Sequence, residues 1–358
     1  MPSHIRRTLK AIAKLFSRHS ACSPYTQAHV GSYPQWYPRI VRLHFIHRLP
    51  IEIIARIFVL GAEDSDMLPV VVSHVCRSWR AIAMRTPSLW RRISLGDQEA
   101  MWVERIRRAK ACLLDVQLLS WRTDRWGRVV TQHLDARAVQ MYMQLVLPFV
   151  CRWRSLEIVL SAYEPLLMNA ALSECCSLRK APMLEELTLV YRANDDAKEF
   201  CLFSGHAPRL RSLTLDGVRL TWLPSLFRNL TFLDYTHHGF SAGEAATNEV
   251  LSMLSICTLL RELKIFFPWK NLAIARPPGF HAPNQRRVTL PCLIRMHLRV
   301  ETPDIPLELT RLVTHLSTPS LTCLYLADIG RRRYPFPSLM HFMRMYPKLP
   351  RLETVYVE

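Results

Sequence analysis

Three kinds of hydrophobic pattern divide the chain. From Pro50 onward, Ile53, Ile54, Ile57, Phe58 and Leu60 build the broad apolar face of a helix that stops at Gly61 and the polar break Ala62-Glu63-Asp64-Ser65-Asp66. Pro50 suits the first helical position, where its missing N–H has no intrahelical partner to lose, and Glu52 complements the positive end of the helix. A second apolar stretch, Met67 to Val75, leads into Val75, Trp79, Ile82 and Ala83, again at helical spacing. Three short helices packed on one another are expected here. Ahead of them, Ile5, Leu9, Ile12 and Phe16 lie on one face of a short amphipathic helix whose other face carries Arg7, Lys10, Lys14 and Arg18; residues 20–38 have no sustained period and read as a linker.

Beyond residue 85 the pattern is a recurring triplet, apolar-x-x-apolar-x-apolar. The sets are Trp90/Ile93/Leu95, Leu113/Val116/Leu118, Trp153/Leu156/Ile158, Leu184/Leu187/Leu189, Leu210/Leu213/Leu215, Leu230/Leu233/Tyr235, Leu260/Leu263/Ile265, Leu293/Met296/Leu298, Leu321/Leu324/Leu326 and Leu352/Val355/Val357. Five of them open with the phrase Pro-x-Leu, at Pro182, Pro208, Pro291, Pro319 and Pro350. The alternation closing each set is that of a strand with one face inward, and starts 20 to 40 residues apart leave room for a return segment. Pro165, Pro306 and Pro337 stand where helices in such segments would begin. Repetition on this scale predicts a solenoid of strand-plus-return units.

The helical region carries a family resemblance. The run LPIEIIARIF (49–58), then VVVSHVCRSWRAIA (70–83) and TPSLWRRISL (86–95), resembles the F-box and its connector as found in the F-box proteins of mushroom-forming fungi. The loop from Gly61 to Leu68 is longer than that family's usual link. The triplet array resembles degenerate leucine-rich repeats, without the Asn that a regular repeat places after its strand. The resemblance implies an α+β / α/β solenoid fold, with a three-helix F-box followed by an irregular leucine-rich-repeat-like horseshoe. It divides the chain into a largely disordered basic tail and linker (1–47), F-box and connector (48–95), and array (96–358). It also implies a non-catalytic subunit of a cullin-RING ubiquitin ligase that docks a Skp-type adaptor and recruits an unknown protein client in the cytoplasm and/or nucleus. Carried over residue by residue, the adaptor-facing positions are Leu49, Pro50, Ile53, Ile57, Val75 and Trp79, with Phe58, Cys76 and Ile82 holding the helices together. For Trp79 the sequence leaves core and partner contact both open.

Charge adds one complication. The chain has 47 basic and 29 acidic side chains, a net charge of +18, which invites a polyanion partner. Eight of the basic residues precede the first carboxylate, Glu52, and others cluster at Arg105/Arg107/Arg108/Lys110, Arg286/Arg287 and Arg331/Arg332/Arg333. A basic tail and a scattered periphery are implied rather than a nucleic-acid groove; the tail helix as a mitochondrial presequence is a minor alternative. If the outward strand positions form the client surface, it is acidic early, at Asp115, Glu157, Glu186, Asp234 and Glu262. It is basic and aromatic late, at Lys264, Arg295, His297, Arg299, Tyr325 and Tyr356. No stretch is long and apolar enough to span a membrane.

Dedicated chemistry is sparse. Ten cysteines without a CxxC pair argue against a zinc site, and 10 glycines leave little material for phosphate loops. His44/His47 and His237/His238 lack companion ligands at a characteristic spacing, so neither a metal nor a cofactor is expected. Gly239-Phe240-Ser241-Ala242-Gly243 is a literal G-x-S-x-G between a strand and a possible helix, the context of a nucleophile elbow. A serine hydrolase at Ser241 therefore stands as a remote alternative, behind an interaction scaffold with no ligase role.

Overall fold

The structure, a computed structural model, describes residues 45–96, 98–123, 129–177, 180–268, 287–330, 336–345 and 354–357. The tail helix and linker expected before residue 39 lie outside them. The chain divides into two compact units between Leu89 and Trp90.

The first unit is helical. Helices α1 (Ile51–Asp64), α2 (Leu68–Val75) and α3 (Arg77–Arg85) bury Ile54, Phe58, Val59, Val72, Trp79, Ile82 and Ala83. Pro50 caps α1 in an extended conformation, one residue earlier than its expected place. A second difference is the length of α1, which runs through Gly61 to Asp64. Gly61 and Ala62 are buried in the unit, and that packing outweighs the roughly 1 kcal/mol helix penalty of a glycine. Pro69 sits in the first turn of α2, where its missing N–H has no intrahelical partner to lose. The run through Cys76 is two helices, completing the expected three: Cys76 is extended, and its Sγ accepts the Trp79 N–H at 3.4 Å, capping α3. The Phe58 and Trp79 rings pack 4.9 Å apart between α1 and α3.

The second unit is a ten-stranded parallel sheet whose spatial order follows the chain: β1 (Arg92–Ser94), β2 (Leu114–Leu119), β3 (Trp153–Leu160), β4 (Glu186–Tyr191), β5 (Ser212–Asp216), β6 (Phe232–Thr236), β7 (Glu262–Phe266), β8 (Arg295–Val300), β9 (Cys323–Asp328) and β10 (Thr354–Val357). Each strand carries the second member of one of the ten triplets. In register, the second members form a continuous row, Ile93, Val116, Leu156, Leu187, Leu213, Leu233, Leu263, Met296, Leu324 and Val355. From Ile93 to Leu324 none of these is more than 1% exposed. The third members form a parallel row from Leu118 to Val357. Each such side chain contributes about 1.5–3 kcal/mol by leaving water, so the repeat is the core. One set is shifted: Leu114, not Leu113, is the buried residue facing Trp153, because a bulge between Leu114 and Asp115 advances the strand.

The Pro-x-Leu phrase has a structural cause. Leu184, Leu210, Leu293 and Leu321 each donate their N–H to the carbonyl three residues back, on Ala181, Ala207, Leu290 and Thr318. The proline thus occupies the second position of a β-turn, where its fixed φ is preset, and the leucine that closes the turn enters the core. The next amide continues the sheet ladder, as Arg211 N–H does to Glu185 O at 2.9 Å. Return segments include α4 (Glu99–Arg108), α5 (Ala136–Val146), α6 (Leu167–Leu172), α7 (Pro224–Phe227), α8 (Gly243–Ile256), α9 (Leu307–His315) and α10 (Leu339–Met345). Pro306 directly precedes α9, whereas Pro165 and Pro337 stand two residues ahead of α6 and α10. No described helix is long and apolar enough to cross a membrane.

Candidate functional sites on the two units

On the helical unit, the positions singled out in sequence separate into two groups. Ile53, Ile57 and Val75 are 49%, 38% and 47% exposed, Pro50 is exposed and Leu49 half-buried. Trp79 is 6% exposed, so its indole belongs to the core beside Phe58, with Ile82. Ile51, Leu60, Met67 and Val71, which sequence reasoning passed over, are also largely exposed. Ile53, Ile57 and Leu60 follow a spacing of four and three along α1, and Val71 and Val75 a spacing of four on α2, so each helix turns an apolar stripe to water. Large aliphatic side chains grouped in this way on a small unit mark an interaction surface rather than scattered surface apolarity.

Residues 46–96 match the family model of the F-box-like domain. The helical unit carries an F-box-like domain. F-box domains bind Skp-type adaptors, and the match continues past the helices through β1. No curated protein matches the chain.

The outer face of the sheet is built from the residues alternating with the buried rows. Its charges are paired within the sheet. Asp115 takes a two-pronged bond from Arg154 at 2.7 and 2.8 Å, a third contact from Arg91 at 3.1 Å and the Ser155 hydroxyl at 3.1 Å. Arg295 and Arg299 find acids on preceding strands, and Lys264 one two residues back on its own strand. Arg295 clamps Glu262 at 2.6 and 2.9 Å, Lys264 lies 3.5 Å and His297 3.7 Å from the same carboxylate, and Arg299 pairs with Asp234. Burial pushes the Glu262 carboxyl upward, but the Arg295 hydrogen bonds and the surrounding positive charges outweigh it and hold the group below its ordinary range. Burial lowers His297, against the pull of Glu262, and so favours its neutral ring. It stacks on Tyr325 at 4.2 Å, the planes 2° apart, and the register sets Tyr356 beside Tyr325 on β10. The late half is therefore an aromatic shelf bordered by neutralised ion pairs, not a free basic field.

At the C-terminal end of β6 the structure assembles residues that the sequence kept apart. His237 and His238 are not surface histidines; they are 3% and 2% exposed. Glu249 on α8 is the companion that their spacing hides, and the ligand atoms of the three lie within 4.8 Å of one another. Glu249 accepts from His238 Nε2 at 2.7 Å and from the Ser241 hydroxyl at 2.9 Å, while His237 Nε2 lies 3.1 Å from Ser241 Oγ. The other ring nitrogens decide what this can do. Nδ1 of His237 accepts the Gly239 N–H at 3.1 Å and Nδ1 of His238 the Phe240 N–H at 3.0 Å. With Nδ1 accepting, the proton of each neutral ring sits on Nε2. His237 then has no lone pair to take the Ser241 proton, and the hydroxyl donates to the Glu249 carboxylate instead of to a histidine. A metal bound at Nε2 would need Nδ1–H to donate, and here each faces a backbone donor instead. The four side chains form a closed hydrogen-bond network tying a turn to a helix. His44 and the His47 side chain lie outside the described residues.

Proposed function

We propose that this chain is a substrate-recruiting subunit of a cullin-RING ubiquitin ligase of the Skp–cullin–F-box type. The observation that carries the reading is the exposed aliphatic surface of Ile53, Ile57 and Val75, with Leu49 and Pro50 beside it, on a domain that matches the F-box-like model. Residues 48–95 dock the adaptor; residues 96–358 form a leucine-rich-repeat-like solenoid that holds a protein client. Support for the second part comes from the in-order parallel strands and the turns at Pro182, Pro208, Pro291 and Pro319, which give these repeats a common frame on which outer-face side chains vary at little cost to the core. The outer face near Lys264, Arg295, His297, Arg299, Tyr325 and Tyr356 is the client surface in this reading, through the His297–Tyr325 shelf more than through net charge. The chain makes and breaks no bonds itself. It raises the local concentration of client lysines near the ubiquitin thioester, in the cytoplasm and/or nucleus.

Co-expression with a Skp-type adaptor and the N-terminal part of a cullin tests this. The three are expected to elute together in one-to-one-to-one proportion from a sizing column. Elution of the chain alone, while the same adaptor retains a control F-box protein, would overturn the ligase reading.

A further inference from the structure

The His237–His238–Glu249–Ser241 network is absorbed by neither the adaptor face nor the client face. Its members come from three places: the two histidines end β6, Ser241 lies in the turn that follows, and Glu249 stands on α8. The turn also reaches α9, since Gly243 N–H donates to Glu308 Oε1 at 2.9 Å. Both histidine rings are enclosed, His237 by Phe267 at 5.3 Å and the His238 ring at 4.3 Å, and His238 also by Phe240 at 5.3 Å.

We propose that residues 237–243 form an acid-sensitive latch, closed while His237 is neutral and opened when it takes a proton on Nδ1. The reason is steric and electrostatic. A second proton on the His237 ring can go only to Nδ1, because Nε2 already carries one, and Nδ1–H would then point at the Gly239 N–H. Two donors cannot share that space, so the amide must leave and the turn must open. The charged groups acting on His237 are Glu249 on α8 and Glu308 on α9, with the His238 ring beside it. The carboxylates favour a charged ring, but burial opposes it more strongly, and the balance holds His237 below its ordinary value.

The sign follows. Above about pH 6.5 the closed and open forms bind the same number of protons. Below it the open turn gains a proton on His237 that the closed one refuses, so opening rises by up to about tenfold per pH unit. Glu249 is held well below the usual carboxylate range, since the two histidines beside it together outweigh burial, the largest single influence, and it stays ionised throughout that window.

Hydrogen exchange on the intact protein, corrected for the intrinsic rate, reads the effect. Protection across 237–243 is expected to fall about tenfold between pH 7.5 and pH 5.5. In the His237→Asn/His238→Asn variant, whose Oδ1 atoms retain acceptors for the two amides but do not titrate, it should stay within about twofold. Unchanged protection in the wild type, or an equal loss in a folded variant, would overturn the latch. Should the variant not fold, nitrogen-15 spectra of the wild-type histidines decide: both rings are expected in the Nε2–H form at pH 7.5, and an Nδ1–H or charged ring contradicts the proposal.

Discussion

Replacing Ile53 and Ile57 together by Asp will weaken the affinity of the intact protein for a Skp-type adaptor by about a hundredfold or more, with almost no change in its thermal midpoint. Both side chains are well exposed in the free protein, so a carboxylate there remains solvated and costs the fold little. Against an apolar partner the same carboxylate is stripped of water without a counter-charge, and two good aliphatic contacts are lost as well. A hundredfold corresponds to about 2.8 kcal/mol, modest for two buried charges. Trp79→Ala provides the contrast. It removes a 6% exposed indole packed on Phe58, and should destabilise the helical unit by about 3–5 kcal/mol, so that adaptor binding fails through unfolding. Titration calorimetry with parallel thermal scans separates the two. Undiminished affinity in a folded Ile53→Asp/Ile57→Asp variant would remove these residues from the docking face.

The second large effect is expected at Gly217, just after β5. Its φ of +75° lies in the left-handed region, and a Cβ built there would stand 2.2 Å from the Tyr191 carbonyl oxygen. The position has no room to yield, because the Gly217 carbonyl also accepts the buried Asn194 side-chain N–H at 2.8 Å. Gly217→Ala combines an unfavourable backbone conformation with a clash against main chain, and should cost roughly 2–4 kcal/mol. Gly243, at the start of α8, also has a positive φ, +59°, but nothing within 4 Å of an added Cβ. Gly243→Ala should therefore cost only about 1 kcal/mol. Urea unfolding of the two variants checks the difference; equal losses would mean that backbone conformation alone governs both sites.

Much of the sheet was legible because its core is written at fixed intervals. The triplets name the residues of both buried rows, and the in-order pairing lets each set be laid beside the next. That alignment already contains one of the cross-strand ion pairs: matching Leu263 to Met296 puts Glu262 beside Arg295. Reading outward positions strand by strand, rather than across strands, is what made the late half look freely basic. Arg299 and Asp234 were harder to foresee, since their strands are separated by β7 and only the length of the arginine brings them together.

Other features had no local signal. The end of α1 depends on whether Gly61 is buried, which is a property of the packed unit and not of the glycine. The shift from Leu113 to Leu114 comes from a bulge, invisible in a pattern that tolerates either residue. The companion of the histidine pair lies eleven residues away on a helix, and only the turn at 239–243 brings the Glu249 carboxylate back to the end of β6. On the helical unit the apolar spacing fixed where the helices lie, while the division of Ile53, Ile57 and Val75 from Trp79 needed the packing of Phe58 to resolve it.

The central claim is that the F-box-like domain meets its adaptor through the exposed aliphatic stripes of α1 and α2. Hydrogen exchange of the intact chain, with and without saturating Skp-type adaptor, tests it most directly. Slower exchange is expected in peptides covering 49–60 and 68–77, with the sheet strands from 114 to 328 unchanged. Protection confined to those strands, or none in either helical segment with the adaptor bound, would contradict it.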